Sequence, residues 1–326
     1  MRLRRADLSA PGYRRRRHGR GFAYLDGDNR ALSSHEAERC RQLVIPPAWT
    51  DVWICVDPAG HIQATGVDAA GRRQYLYHPD WRARRDRRKF THVLEVAARL
   101  PRLRRRVRMD LGQAGLVRQQ VLALATRLLD RGLFRVGGDE YANGEDPTFG
   151  LATLRANHVR VGADVTFCYT AKGGLERTLI VHDRVVRAVV TELKKARRGR
   201  DRLLAYRNDA GEWCEVHAGD INEYLRRASG VDMTAKDLRT WHGTLRAAVA
   251  LARSEPPGSK AAARRAIAAV MREVADDLGN TPAVARASYV DPRMVEAFLR
   301  GDTVRVPSQR CHGPAVERAV LELLSD

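Results

Sequence analysis

The sequence predicts an α+β protein, with a small antiparallel β-rich N-terminal domain and a larger, mainly α-helical domain after it. Three observations carry this. Up to about residue 80 the apolar residues alternate in short runs broken by turn residues. Beyond that point a helical period recurs in segment after segment. A single β interlude then interrupts the helices near residues 165–181.

Taken in order, residues 1–20 form a basic arm that ends in Arg14-Arg15-Arg16-Arg17-His18-Gly19-Arg20. Such a run reads as a disordered tail able to lie along phosphates. The run Asp51-Val52-Trp53-Ile54-Cys55-Val56 alternates and is β-branched, so it predicts a strand. A turn at Pro58-Ala59-Gly60 leads to a second strand over 61–67, and Ala69-Ala70-Gly71 leads to a third over 73–77. From Asp80 to about Leu100 the chain reads as a very basic helix, with Arg82, Arg84, Arg85, Arg87, Arg88 and Lys89. Helical patterns follow near 115–131, 183–198, 217–229, 234–253, 259–278, 281–288, 292–300 and 313–325. Residues 165–169 and 177–181 flank Lys172-Gly173-Gly174 as a hairpin, with Lys172 in or beside its tip. The expected organisation is an arm over 1–20, a β-rich domain over 21–85 and a helical domain over 86–326.

With 326 residues, 44% of them hydrophobic, the chain is long enough for a real core in two domains. Its formal net charge is +19, with arginine dominating, and this ranks nucleic acid first among partners. No apolar run reaches the roughly 18 to 20 residues that span a bilayer. The start Met1-Arg2-Leu3-Arg4-Arg5 has no apolar stretch of a secretory signal. A cytoplasmic, nucleoid-associated location without a membrane partner is therefore expected. The five cysteines, Cys40, Cys55, Cys168, Cys214 and Cys311, are odd in number and none are paired at CxxC spacing. They read as reduced thiols rather than a disulfide framework or a zinc site. No P-loop, HExxH or paired-cysteine pattern is present, so chemistry without nucleotide, metal or other cofactor is expected.

Four segments of the helical domain carry candidate chemistry. Arg135 sits in Gly132-Leu133-Phe134-Arg135-Val136-Gly137-Gly138, an apolar setting where an arginine needs an anionic partner. Lys172 precedes two glycines, and a lysine on a flexible loop can deliver a proton to a leaving oxygen. Lys236 and Arg239 are three apart on a helix, and a guanidinium there can clamp a phosphate with two donors. In Leu278-Gly279-Asn280-Thr281-Pro282, a helix ends and another is capped and opened, with Tyr289 at the end of the second. Taken singly, each has an ordinary structural reading: a salt bridge, a hairpin lysine, a solvated helix start, a core tyrosine.

Taken together they form an ordered series: Arg, a hairpin Lys, KxxR, then Asn nine residues before Tyr. In this the sequence resembles the type IB DNA topoisomerases of the small bacterial or poxvirus-like kind. The resemblance extends to the first domain through Ile45-Pro46-Pro47-Ala48-Trp49 and through Gly71-Arg72-Arg73-Gln74-Tyr75-Leu76-Tyr77 after Val67-Asp68. It implies that Tyr289 is the nucleophile, with Arg135, Arg239 and Asn280 around the phosphate and Lys172 as general acid. It also implies that Arg72, Arg73, Gln74, Tyr75, Tyr77 and Lys236 contact DNA. The implied reaction relaxes supercoiled duplex DNA through a 3′-phosphotyrosyl intermediate, swivelling and religation. The implied agent is a monomer clamping the duplex. One departure stands out: the family commonly has histidine where this chain has Asn280. An amide can donate a hydrogen bond to a phosphate oxygen but cannot carry positive charge or transfer a proton. Two alternatives share parts of this pattern, a tyrosine site-specific recombinase and a non-catalytic basic DNA-binding or architectural protein.

Overall fold

The computed structural model describes residues 2–131, 134–199, 201–255, 258–305 and 313–325. The chain divides into two compact units, Met1–Phe90 and Thr91–Asp326.

The first unit opens on strand β1 (Tyr13–His18), β2 (Gly21–Leu25) and helix α1 (Ser34–Gln42). It continues through β3 (Thr50–Ile54), β4 (Ile62–Val67) and β5 (Arg73–Tyr77). All pairings are antiparallel and the sheet order is β2-β1-β3-β4-β5. Strands β3, β4 and β5 lie where the alternation places them. The arginine run is not a disordered arm: it is β1, paired with β2 along one edge and β3 along the other. Tyr13 anchors the strand in the core, and Arg15 satisfies its guanidinium on the carbonyls of Ile45, Pro46 and Trp49. Four successive arginines show no alternation, so this strand has little signal in the sequence. Helix α1 holds its start with a reciprocal box, the Ser33 hydroxyl accepting from Glu36 N–H and the Glu36 carboxylate accepting from Ser33 N–H.

Helix α2 (Pro79–Leu111) carries the chain from the first unit into the second. It runs past Pro101, beyond the expected end near Leu100. Leu100, Leu103, Val107 and Leu111 are buried at helical spacing, and that burial outweighs the one lost hydrogen bond. Helix α3 (Arg118–Leu129) is almost wholly buried, and a short helix α4 (Asp139–Ala142) follows. Strands β6 (Val159–Val161), β7 (Val165–Ala171) and β8 (Leu175–Val181) make a three-stranded sheet. Helix α5 (Arg184–Ala196) and a short hairpin of β9 (Ala205–Arg207) and β10 (Trp213–Glu215) come next. The chain ends with α6 (Ala218–Ser229), α7 (Ala235–Arg253), α8 (Lys260–Leu278), α9 (Pro282–Ser288), α10 (Pro292–Arg300) and α11 (Pro314–Ser325).

Two cores organise this unit. The larger gathers α3, α7 and the buried sides of β7 and β8 around Trp241, Leu122, Leu124 and Phe167. The smaller joins the end of α7 to α8, α9 and α10 through Ala247, Leu251, Val274, Leu278, Ala285 and Phe298. An ion cluster binds four segments of the unit. Arg104 of α2 pairs with Asp130, just after α3, and with Glu317 of α11, while His242 of α7 hydrogen-bonds Asp130. Burial opposes ionisation of Asp130, but His242 and Arg104 outweigh it and hold the carboxyl at about 2. Cys40 and Cys55 are buried free thiols, and Cys168 and Cys214 are half-buried and free. Gly132, Leu133 and Cys311 lie outside the described residues.

Candidate active site

The site is built on the segment that joins α8 to α9. Helix α8 ends at Gly279, whose φ of 59° suits a residue without a side chain. Asn280 follows, and Thr281 caps α9 by accepting from Val284 N–H, with Pro282 in the first turn. Tyr289 closes α9, its N–H donating to Ala285 O.

Arg135 reaches this segment from the loop after α3. Its Nη2 donates to Gly279 O at 2.7 Å and to Asn280 Oδ1 at 2.6 Å. Several contacts hold the loop. Phe134 packs edge-on to Phe167 with centroids 5.1 Å apart. Leu151 N–H donates to Arg135 O at 2.8 Å and Ala152 N–H to Val136 O at 2.7 Å. Gly137 and Gly150 cross so closely that a Cβ on Gly137 would lie 2.8 Å from Gly150 Cα. Only glycine fits both positions.

Arg239 enters from α7 and is 4% exposed. Its Nη2 donates to Leu278 O, and its guanidinium carbon lies 5.2 Å from the centre of the Tyr289 ring. Burial first, and the neighbouring charge of Arg135 second, push the Arg239 guanidinium down to about 10, with Tyr289 working the other way. It stays charged at neutral pH. Arg135 is lowered in the same direction, again chiefly by burial. The acceptors at Leu278, Gly279 and Asn280 are neutral, so they leave the positive charge of the pair in place. Two cations held this close favour a bound anion. Asn280 completes the group: its Oδ1 accepts from Arg135, while its Nδ2 is buried with no hydrogen-bond partner among the described residues. An unmet buried donor is unfavourable by about 1–3 kcal/mol, which a phosphate oxygen would relieve.

The structure thus brings Arg135, Arg239, Asn280 and Tyr289 together. Lys172 stands at the tip of the β7–β8 hairpin, exposed, with Gly173 and Gly174 at φ of 85° and 71° completing the turn. It has no hydrogen-bond or ion-pair partner among the described residues. Lys236 does not join the group: although three residues from the buried Arg239, it is exposed in the first turn of α7. In the first unit, Arg72 pairs with Asp68 at 2.9 Å and Gln74 Nε2 donates to the same carboxylate at 2.8 Å. Hydrogen bonds from the Arg72 backbone N–H foremost hold Asp68 below the usual carboxylate range. Arg73 pairs with Asp51 at 3.2 Å. Tyr75 and Tyr77 stack, their centroids 6.2 Å apart, and Tyr75 is exposed. Strand β5 lies at the sheet edge, with Arg73, Tyr75 and Tyr77 on one face by alternation.

Sequence reasoning missed the residues that place Tyr289. Gly243, one helical turn after Arg239, lies against it: a Cβ there would meet Tyr289 O at 2.7 Å and Tyr289 Cβ at 3.0 Å. The adjacent Thr244 hydroxyl donates to Tyr289 O at 3.2 Å and accepts from Asp291 N–H at 3.0 Å. One face of α7 therefore carries both Arg239 and the seat of Tyr289. Gly243 stands at i+4 from Arg239, a spacing that puts the two on one face but does not reveal Tyr289 as the partner. Arg177 was missed as well: it donates to the carbonyls of Asp276 and Asp277 at 2.8 and 2.7 Å. Among the described residues no three or more His, Cys, Asp or Glu gather in a metal-binding arrangement. Among them, too, no helix is long and apolar enough to cross a membrane.

Residues 78–299 match the family model described as eukaryotic DNA topoisomerase I, catalytic core. Residues 21–68 match that of the bacterial DNA topoisomerase IB N-terminal domain. A protein of Acanthamoeba polyphaga mimivirus named DNA topoisomerase 1B is 28% identical over 296 residues, covering 88% of this chain and 87% of that one.

Proposed function

Because the chain belongs to the type IB DNA topoisomerase family, we propose that Tyr289 is the nucleophile with which it cuts and rejoins one strand of duplex DNA. One observation carries this reading. The segment whose carbonyls and amide receive Arg135 and Arg239 is the same segment that ends in Tyr289.

The phenolic oxygen of Tyr289 attacks the scissile phosphorus and loses its proton to water. A bond forms between tyrosine and the 3′-phosphate, and the bond to the 5′-oxygen breaks. Lys172 donates a proton to that departing oxygen, which leaves as a hydroxyl. Arg135 and Arg239 hold the non-bridging oxygens as negative charge gathers there, and Asn280 Nδ2 donates a further hydrogen bond. Each such donor is worth on the order of 100- to 1000-fold in rate. The free end swivels about the intact strand. The 5′-hydroxyl then attacks the phosphotyrosyl bond, which has kept the energy of the broken phosphodiester, so resealing needs no nucleotide.

The protein acts as a monomer on duplex DNA and works where that DNA is, on the nucleoid. Arg72, Arg73, Gln74, Tyr75 and Tyr77 are the contacts assigned to the first unit, and Lys236 is an exposed contact of the second. The stacked tyrosines and Arg73 share one strand face, which supports that side for the DNA. The reading is tested by stopping a reaction on end-labelled duplex with denaturant. Label placed on the 3′-phosphate side is expected to stay attached to wild-type protein and not to Tyr289→Phe. Attachment to Tyr289→Phe, or of the 5′ side, would refute it.

A further inference from the structure

Strand β8 breaks its own pattern. Leu179 and Val181 are buried, yet the next position on that face is Arg177. Its guanidinium is anchored on two backbone carbonyls. Nη1 donates to Asp276 O at 2.8 Å and Nη2 to Asp277 O at 2.7 Å. These carbonyls lie in the last turn of α8, where the helix dipole favours a cation. A Cβ on Gly279 would meet Nη1, Cζ and Nε of Arg177 at 3.2, 3.3 and 3.4 Å, so the guanidinium covers that glycine face-on. The residue after Gly279 is Asn280.

On the hairpin, Arg177 pairs across the strands with Tyr169, and Lys172 lies five residues before it. From Lys172 to Glu176 no described residue hydrogen-bonds outside the hairpin. Arg177 is thus the outermost tether of β8. Its charge is also felt at the site, where it acts against the ionisation of both Arg135 and Arg239. A second clamp grips the same helix end from α7. Arg246 Nε pairs with Asp277 Oδ2 at 3.0 Å and its Nη2 donates to Arg131 O at 2.9 Å, just before the Arg135 loop.

We propose that Arg177 is a positioning residue for strand cleavage. It fastens the Lys172 hairpin to the helix end that presents Asn280, so that proton donor and phosphate-holding groups share one frame. The proposal rests on the reading of Lys172 as general acid. Arg135 and Arg239 keep their own anchors on Gly279 and Leu278 when Arg177 is removed, so the loss falls mainly on Lys172.

Chemistry separates the two effects. A duplex with sulfur in place of the scissile 5′-bridging oxygen releases a thiolate, which needs no proton from the enzyme. Single-turnover cleavage is measured on oxygen and sulfur duplexes carrying a cleavage site first mapped with wild-type protein. On oxygen, Arg177→Ala is expected to be about 10- to 100-fold slower than wild type, the range for a misplaced catalytic group. On sulfur it is expected to approach the wild-type rate. Arg177→Lys, with the charge but not the fork, is expected to fall between them, and it carries the same comparison if the alanine variant does not fold. Unimpaired cleavage of oxygen, or an equal loss on both substrates, would overturn the proposal. Lys172→Ala is measured beside them: a defect that sulfur does not relieve would refute the role of Lys172 itself, independently of Arg177.

Discussion

Replacing Gly243 with alanine probes how α7 seats Tyr289. The new Cβ would lie 2.7 Å from Tyr289 O and 3.0 Å from Tyr289 Cβ, where ordinary contact begins at 3.4 Å. Relief requires Tyr289 or α7 to move by about 0.7 Å, the difference between 3.4 and 2.7 Å. Such overpacking destabilises by roughly 1–3 kcal/mol. Alanine in a helix interior returns about 1 kcal/mol over glycine. Net stability should therefore fall by no more than about 2 kcal/mol, while Tyr289, the proposed nucleophile, is displaced by an amount expected to slow the reaction by up to about 100-fold. Plasmid relaxation time courses and thermal unfolding of the same preparation measure the two effects. A wild-type relaxation rate would refute the argument that this crossing fixes the tyrosine. A collapse of stability would show that the clash is not absorbed locally.

Asn280→His is expected to keep or raise relaxation activity near pH 8, because a neutral imidazole can accept from Arg135 on one nitrogen and donate on the other. Activity should fall as the ring charges against Arg135 below about pH 6, and an inactive variant at pH 8 would contradict this. Arg73→Ala is expected to weaken DNA binding and to lower the salt dependence by about one phosphate contact; an unchanged salt titration would remove Arg73 from the contacts. Asp130→Asn tests the ion cluster. Its carboxyl sits at about 2 against an ordinary 3.8, so its stabilisation is present above about pH 4 and is lost as pH falls through about 2. A shift of that size is worth on the order of 2–3 kcal/mol, so the variant is expected to melt several degrees lower at pH 7, with the gap closing towards pH 2. Equal melting points at pH 7 would refute that contribution.

The helices were legible because they carry an apolar period and several have their own caps, as at Ser259 before α8 and Asp291 before α10. Strands β3, β4 and β5 were legible by alternation. Strand β1 was not, because its stability comes from pairing on two sides and from carbonyls at 45–49 that only the fold brings to Arg15. Helix α2 was read too short because Pro101 marks a stop locally, while burial of Leu103, Val107 and Leu111 is a tertiary effect. At the site, the chemical residue types and their order pointed to Arg135, Arg239, Asn280 and Tyr289. Their supports carried no such signal. Gly243, Thr244 and Arg177 act through backbone carbonyls far away in the chain, and spacing along a helix or strand does not reveal such partners. At three-residue spacing Lys236 is exposed and Arg239 buried, a difference that tertiary packing sets and spacing does not.

Relaxation of supercoiled plasmid by wild-type protein and by Tyr289→Phe, with EDTA present and ATP absent, tests the central claim most directly. The wild type is expected to relax the plasmid fully, and the variant to bind it but leave it supercoiled. Relaxation by both proteins would remove Tyr289 as the nucleophile, and relaxation by neither, with binding intact, would contradict a metal-free tyrosyl reaction at this site.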